Sequence, residues 1–192
     1  NEKAGLPLEE EMISEALQKA NYNSAIIGKW HMGTHPKFHP LKRGWDYFFG
    51  FLSGGHNYFP EKLTLNDYSE VKWAYGWYST RIMENYNRID INNYLTDELS
   101  DAAVRYIEKQ SNEKNPFMIY LSYNAPHGPL QATEKYLDRF PEINNEKRKI
   151  YAAMVSSMDD GIGRVLNTLK ERNIEENTIV VFLSDNGGPI HK

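Results

Sequence analysis

Apolar positions in this chain follow two periods in turn, one that suits helices and one that suits buried strands. Leu8, Met12, Ile13, Ala16 and Leu17 recur at helical spacing over residues 6–20, with Pro7 suited to a first turn and Glu9, Glu10 and Glu11 at its positive end. Asn21-Tyr22-Asn23 breaks that pattern, and residues 24–27 read as a short buried strand. Residues 33–60 read as loop, punctuated by Pro36, Pro40, Gly44, Gly50, Gly54, Gly55 and Pro60. Their many aromatics imply a packed loop, not a linker. Residues 61–95 are polar, aromatic and weakly periodic, and suit short strands or loops. A helix then runs from an N-cap at Thr96 towards Gln110, with Leu99, Ala102, Ala103, Tyr106 and Ile107 on one stripe.

Phe117-Met118-Ile119-Tyr120-Leu121 is continuous in apolar character and predicts a strand buried on both faces. Helical patterns follow over 132–139 and 146–171. The longer one keeps its period through Ile150, Met154, Met158, Ile162, Val165 and Leu169 despite Gly161 and Gly163. Each glycine costs about 1 kcal/mol relative to alanine, so close packing or a kink is expected there. Residues 178–183 complete the pattern as a last buried strand.

Helix followed by strand, three times over, predicts an α/β fold: a largely parallel sheet flanked by helices on both faces. Ligands of such sheets bind at the carboxyl ends of the strands. Each apolar run carries its polar groups at that end. Lys29 and His31 follow the first, in Gly28-Lys29-Trp30-His31-Met32-Gly33; His127 follows the second; Asp185 and Asn186 follow the third. A period of two would set Lys29 and His31 on one side, where a cation and an imidazole can receive an anion. A plain surface turn is the alternative. His31 and His127 can donate hydrogen bonds to that anion, or one can protonate a leaving oxygen. Asp185 and Asn186 offer oxygen to a hard cation such as calcium or magnesium, although Asp-Asn-Gly-Gly also reads as an ordinary turn. His56, after Gly54-Gly55, is a candidate substrate contact; His35 and His39 read as structural or surface residues. Tyr75-Gly76-Trp77-Tyr78 suits either a sugar ring or internal packing. No serine sits where a neighbouring base would activate it.

Bulk composition narrows the classes. The chain has 192 residues, enough for one sizeable core, with 40% hydrophobic and 25% charged residues, as in ordinary globular proteins. A net charge of −4 argues against a general nucleic-acid binder. With no cysteine, neither disulfides nor thiolate chemistry is available. No apolar run approaches membrane-spanning length. Residue 1 is Asn and no signal peptide is present, which reads as a processed or excised piece.

The Gly28-Lys29-Trp30-His31-Met32-Gly33 stretch, Arg43-Gly44-Trp45-Asp46-Tyr47-Phe48-Phe49-Gly50, Tyr123-Asn124-Ala125-Pro126-His127-Gly128-Pro129, the 151–170 helix with Met158-Asp159-Asp160, and Ser184-Asp185-Asn186-Gly187-Gly188 resemble, in order and spacing, the type I sulfatases of the alkaline phosphatase superfamily. That resemblance implies an alkaline-phosphatase-like fold and a calcium-dependent hydrolase of sulfate esters with a formylglycine nucleophile made from Cys or Ser. By position, Lys29 and His31 would contact the sulfate and its leaving oxygen, His127 would bind the ester, and Asp185 and Asn186 would be calcium ligands. The family's Cys/Ser-x-Pro-x-Arg motif and its first pair of calcium-binding aspartates have no counterpart here, and Lys192 stands too close to Asn186 to be the family's further lysine. Residues 1–192 are therefore expected to be the central part of a sulfatase catalytic domain. The piece should lack the N-terminal nucleophile segment and the C-terminal part, and be inactive alone. The implied ligand is a sulfated small molecule or glycan, with no nucleic acid and no membrane span. The parent is expected to be periplasmic or extracellular, and an exposed sheet edge is expected to promote oligomers. A phosphodiesterase or phosphonate hydrolase of the same superfamily, and a non-catalytic binding domain, are the alternatives.

Overall fold

The computed structural model describes residues 4–187. At its centre is β1 (Asn23–Lys29), which runs parallel to β2 (Tyr47–Phe51) on one side and to β5 (Phe117–Ser122) on the other. The sheet continues from β2 through an antiparallel hairpin, β3 (Ile82–Glu84) and β4 (Asn87–Ile89), giving the order β4-β3-β2-β1-β5. Four helices pack around it: α1 (Ile13–Gln18), α2 (Leu95–Gln110), α3 (Glu134–Leu137) and α4 (Glu146–Glu171).

Alternation along the strands divides their side chains between two cores. Ala25, Ile27, Phe49 and Phe51 pack with Leu95, Leu99 and Ala103 of α2 and Met154 of α4. Ile26, Phe48, Trp30, Trp45 and Leu52 form the second cluster, against which Met12 packs just ahead of α1. Each fully buried aliphatic or phenyl side chain contributes about 1.5–3 kcal/mol.

Near their carboxyl ends the strands are joined through glycine backbone. The register sets Gly28 opposite both Gly50 and Ser122. Gly28 has φ +114°, and a Cβ there would stand 1.9 Å from the Ser122 carbonyl oxygen; one on Gly50 would stand 2.0 Å from the Gly28 oxygen. Only glycine permits this backbone-to-backbone seam. Gly161 shows the same economy between helices: a Cβ would lie 2.1 Å from Ser100 Oγ, so close packing explains it. Gly163 faces open space, and nothing in the structure explains it.

Several expectations need correction. The helix expected over 6–20 shortens to α1. Leu6 N–H bonds to Met32 O at 3.0 Å, and the buried Arg43 takes the carbonyls of Leu6 and Glu10, at 3.4 and 2.7 Å. Those groups are thus withdrawn from helical pairing. The 33–60 loop contains β2, whose Gly50 serves the seam instead of breaking the strand. Tyr94, not Thr96, caps α2, and Thr96 lies buried within the helix. β5 is half-exposed, not buried on both faces, because it is the outermost strand on its side among the described residues. Residues 178–183 form no strand: Ile179 is 92% exposed and Phe182 75%, with no sheet neighbour among the described residues. The sheet is largely parallel as expected, across β2-β1-β5, with β3 and β4 adding an antiparallel hairpin at its edge. No helix among the described residues is long and apolar enough to cross a membrane.

Candidate functional site

Lys29 closes β1, and the chain leaves the sheet immediately after it. Trp30 N–H bonds to Phe51 O at 3.0 Å and His31 N–H to Leu52 O at 3.3 Å, so the exit follows the end of β2. The Trp30 ring is buried, its Nε1 donating to Phe38 O at 2.9 Å. His31 adopts φ +56°, in the left-handed region. That turn, more than strand alternation, sets the direction of His31. A Cβ on Gly54 would lie 2.4 Å from His31 Nε2, so the imidazole rests on the Gly54 backbone; Gly55 receives the Tyr78 ring in the same way. This glycine pair makes room for rings of the chain itself.

Four of the residues singled out from the sequence come together. Lys29 Nζ stands 4.0 Å from Asp185 Oδ2; the Lys29 side chain is 15% exposed and the Asp185 side chain 74%. Burial holds the His31 pKa below its usual value, and the charges of Lys29 and His127 push it the same way while Asp185 opposes them. His31 thus senses all three. His127 is exposed on the loop after β5. Its Nδ1 lies 2.7 Å from Gly128 O. A carbonyl only accepts, so Nδ1 carries the proton, and Nε2 accepts in the neutral ring and donates in the imidazolium.

What fixes His127 was not apparent from the sequence. The Tyr58 hydroxyl donates to His127 O at 2.7 Å, Tyr58 N–H donates to Gln131 Oε1 at 2.8 Å, and Gln131 Nε2 donates to Asn57 Oδ1 at 3.2 Å. Tyr94 OH also donates to Gln131 O at 2.7 Å. Burial raises the Tyr58 hydroxyl pKa, so it stays a donor throughout the ordinary pH range. These partners lie some seventy residues apart in sequence (|i−j| of 69 and 73), so no local pattern marks them.

His56 does not join this group. It is wholly buried, with Nδ1 3.0 Å from Asn57 O, Nε2 3.4 Å from Thr80 Oγ1, and its ring 4.6 Å from that of Phe51. Burial pushes its pKa down to about 4. The substrate contact expected of it is replaced by a core role. His35 and His39 cap short helical turns, accepting from Lys37 N–H and Leu41 N–H, each at 3.3 Å.

Asp185 and Asn186 sit in a turn in which Ser184 Oγ donates to Asn186 O at 2.7 Å and Asn186 Nδ2 to Gly187 O at 2.8 Å. Their oxygens suit calcium in kind but not in number. No group of three or more His, Cys, Asp or Glu side chains able to hold a metal ion occurs among the described residues. Gly188 and Lys192 lie outside the described residues.

The model of the Sulfatase family matches residues 1–192. The chain belongs to the sulfatase family. This sulfatase chain is 33% identical to human N-acetylgalactosamine-6-sulfatase and 31% identical to the uncharacterized sulfatase YdeN of Escherichia coli (strain K12), in each case over 97% of the chain and 34% of the relative. It therefore spans about a third of the length of these curated relatives. Among solved structures it resembles Ps i-CgsB, crystallised in complex with k-i-k-neocarrahexaose, with a TM-score of 0.81 and 42% identity over 88% of this chain and 38% of that one. The yidJ protein of Bacteroides fragilis, at 18% identity and a TM-score of 0.67 over 90% of this chain and 43% of that one, shares the fold. The expected α/β architecture of helices about a sheet agrees with both.

Proposed function

We propose that the protein carrying this chain is a sulfuric ester hydrolase acting on a sulfated carbohydrate, and that residues 1–192 are the central part of its catalytic domain. The convergence of Lys29, His31, His127 and Asp185 at the carboxyl ends of β1 and β5 carries the reading. Lys29, largely covered by protein, meets the sulfate anion with little competition from water. His31 and His127 flank it as hydrogen-bond partners. When the sulfur–oxygen bond to the sugar breaks, the electron pair stays on the leaving oxygen and a proton from one imidazole completes the alcohol. Water supplies the oxygen and the protons that make the products alcohol, sulfate and one released proton.

The nucleophile, a formylglycine, and the remaining metal ligands belong to sequence outside this chain. Asp185 and Asn186 would hold part of a calcium ion, which would supply positive charge beside the sulfate. Two similar proteins, human N-acetylgalactosamine-6-sulfatase and Ps i-CgsB in complex with k-i-k-neocarrahexaose, support a glycan substrate. By family resemblance we further propose that the parent protein is periplasmic or extracellular. The open outer side of β5 and the exposed 179–183 run support self-association of the isolated chain, and a monodisperse monomer in light scattering would argue against it.

The deciding experiment assays the full-length protein on sulfated sugars and on matched phosphate esters. Sulfate release with no phosphate release is expected, and Lys29→Ala should lower kcat/KM roughly 10²–10³-fold. Turnover of the phosphate ester alone refutes the sulfatase reading. Activity and ligand affinity unchanged in both Lys29→Ala and His127→Ala would make the site a relic in a non-catalytic domain.

A further inference from the structure

We propose that Trp73, Tyr75 and Tyr78 form a stacking subsite beside His127 for the uncharged face of a sugar ring adjacent to the sulfated one. This rests on the glycan sulfatase reading and extends it to a part of the substrate that does not react.

A cavity of about 450 Å³ opens between these aromatics and the His127-Gly128-Pro129 segment. Its size falls in the range of roughly 300–1,000 Å³ typical of small-molecule sites. Trp73 is 53% exposed and Tyr75 64%, beside a residue of the candidate site, where apolar rings would gain by burial. The rings are set together, with Tyr75 5.8 Å from Tyr78 and 5.4 Å from Trp77 between centroids.

The loop that presents them is tied down. Gly76 N–H bonds to Trp73 O at 3.1 Å, Tyr78 N–H to Tyr75 O at 2.9 Å, and Asn57 N–H to Tyr78 O at 3.0 Å. A Cβ on Gly76 would stand 3.0 Å from the Trp73 indole, so that ring is seated on glycine backbone. Tyr75 takes φ +61°, a conformation that a bulky residue holds only when its surroundings impose it. Aromatic surface is thus exposed by a constrained backbone.

The cavity's chemistry selects its occupant. Among the described residues His127 is the one Lys, Arg or His side chain that lines it; Asn57, Ser79 and Ala74 complete the wall. A second sulfate would find no Lys or Arg among the described residues that line it. The C–H-bearing face of a pyranose, slightly positive, suits the negative faces of Trp and Tyr rings. Because His127 borders both the cavity and the sulfate-binding group, the ring received here is the neighbour of the one that carries the ester.

The test compares Trp73→Ala and Tyr75→Ala with the unaltered full-length protein. The probes are a carrageenan-derived hexasaccharide, a sulfated glycosaminoglycan hexasaccharide, and the sulfated monosaccharide of each. On whichever hexasaccharide the unaltered protein desulfates, kcat/KM should fall roughly five- to tenfold, mainly through KM, with the monosaccharide unaffected. Trp73→Phe should restore most of the loss. An equal fall on both lengths, or none on either, overturns the subsite and leaves the sulfatase reading standing. No desulfation of any probe by the unaltered protein overturns that reading and the subsite with it.

Discussion

Two stretches of this chain are built alike and end differently. The run through β1 and the run at 178–183 are both short, apolar and followed at once by site residues, Lys29 in one case and Asp185 in the other. Ile26 and Ile27 are 1% and 0% exposed, whereas Val180 and Val181 are 58% and 73% exposed. Composition does not separate them. β1 has hydrogen-bonding strands on both sides, while the later run joins no sheet among the described residues. Apolar sequence predicts a strand only where another backbone offers an edge.

The contrast can be broken most severely at the seam. Gly28→Ala drives a methyl into the Ser122 carbonyl at an unfavourable φ, and should cost the chain about 4 kcal/mol or more, read from urea denaturation. Next in size is Phe48→Ala, which empties a fully buried position on the face opposite α2 and should cost about 3–5 kcal/mol. The same substitution at the exposed Phe182, Phe182→Ala, should shift stability by no more than about 0.5 kcal/mol. A large effect there would mean that the 178–183 run is packed in solution.

A pH titration sharpens the comparison further. His56 is neutral in the fold, with its pKa lowered from 6.5 to about 4, so the unfolded chain takes up a proton first as the pH falls. Its contribution is complete above about pH 6.5 and is lost between there and pH 4, on the order of 3 kcal/mol. Urea midpoints measured from pH 7 to 4 should fall accordingly, and His56→Gln should flatten that part of the profile. The smallest effect is expected at the surface: Asp185→Asn leaves stability within about 0.5 kcal/mol because Asp185 is exposed and its contact with Lys29 is long. A greater loss would make that pair a structural tie.

The sequence disclosed most where chemistry and burial coincide within a few residues. The meeting of Lys29, His31, His127 and Asp185 was legible because each follows an apolar run, β1 and β5 because those runs are continuous, and α2 and α4 because their helical periods are long. β2 escaped notice because Gly50 looks like a loop residue until the facing Gly28 is known. The first helix was overextended because Arg43 intercepts carbonyls from the other end of a 33-residue separation. His56 misled for a related reason: a flanking pair of glycines signals close approach but not by what, and here His31 and Tyr78 are the visitors. Pairings between distant backbones leave no mark on local periodicity.

The glycine seam joining β1, β2 and β5 has a consequence for how such a protein diversifies. With no side chains between the three backbones, their spacing is insensitive to whatever is attached beyond Lys29, Phe51 and Ser122. Loops grafted at those three exits should inherit a fixed mounting, so new recognition can be tried without re-solving the platform beneath it.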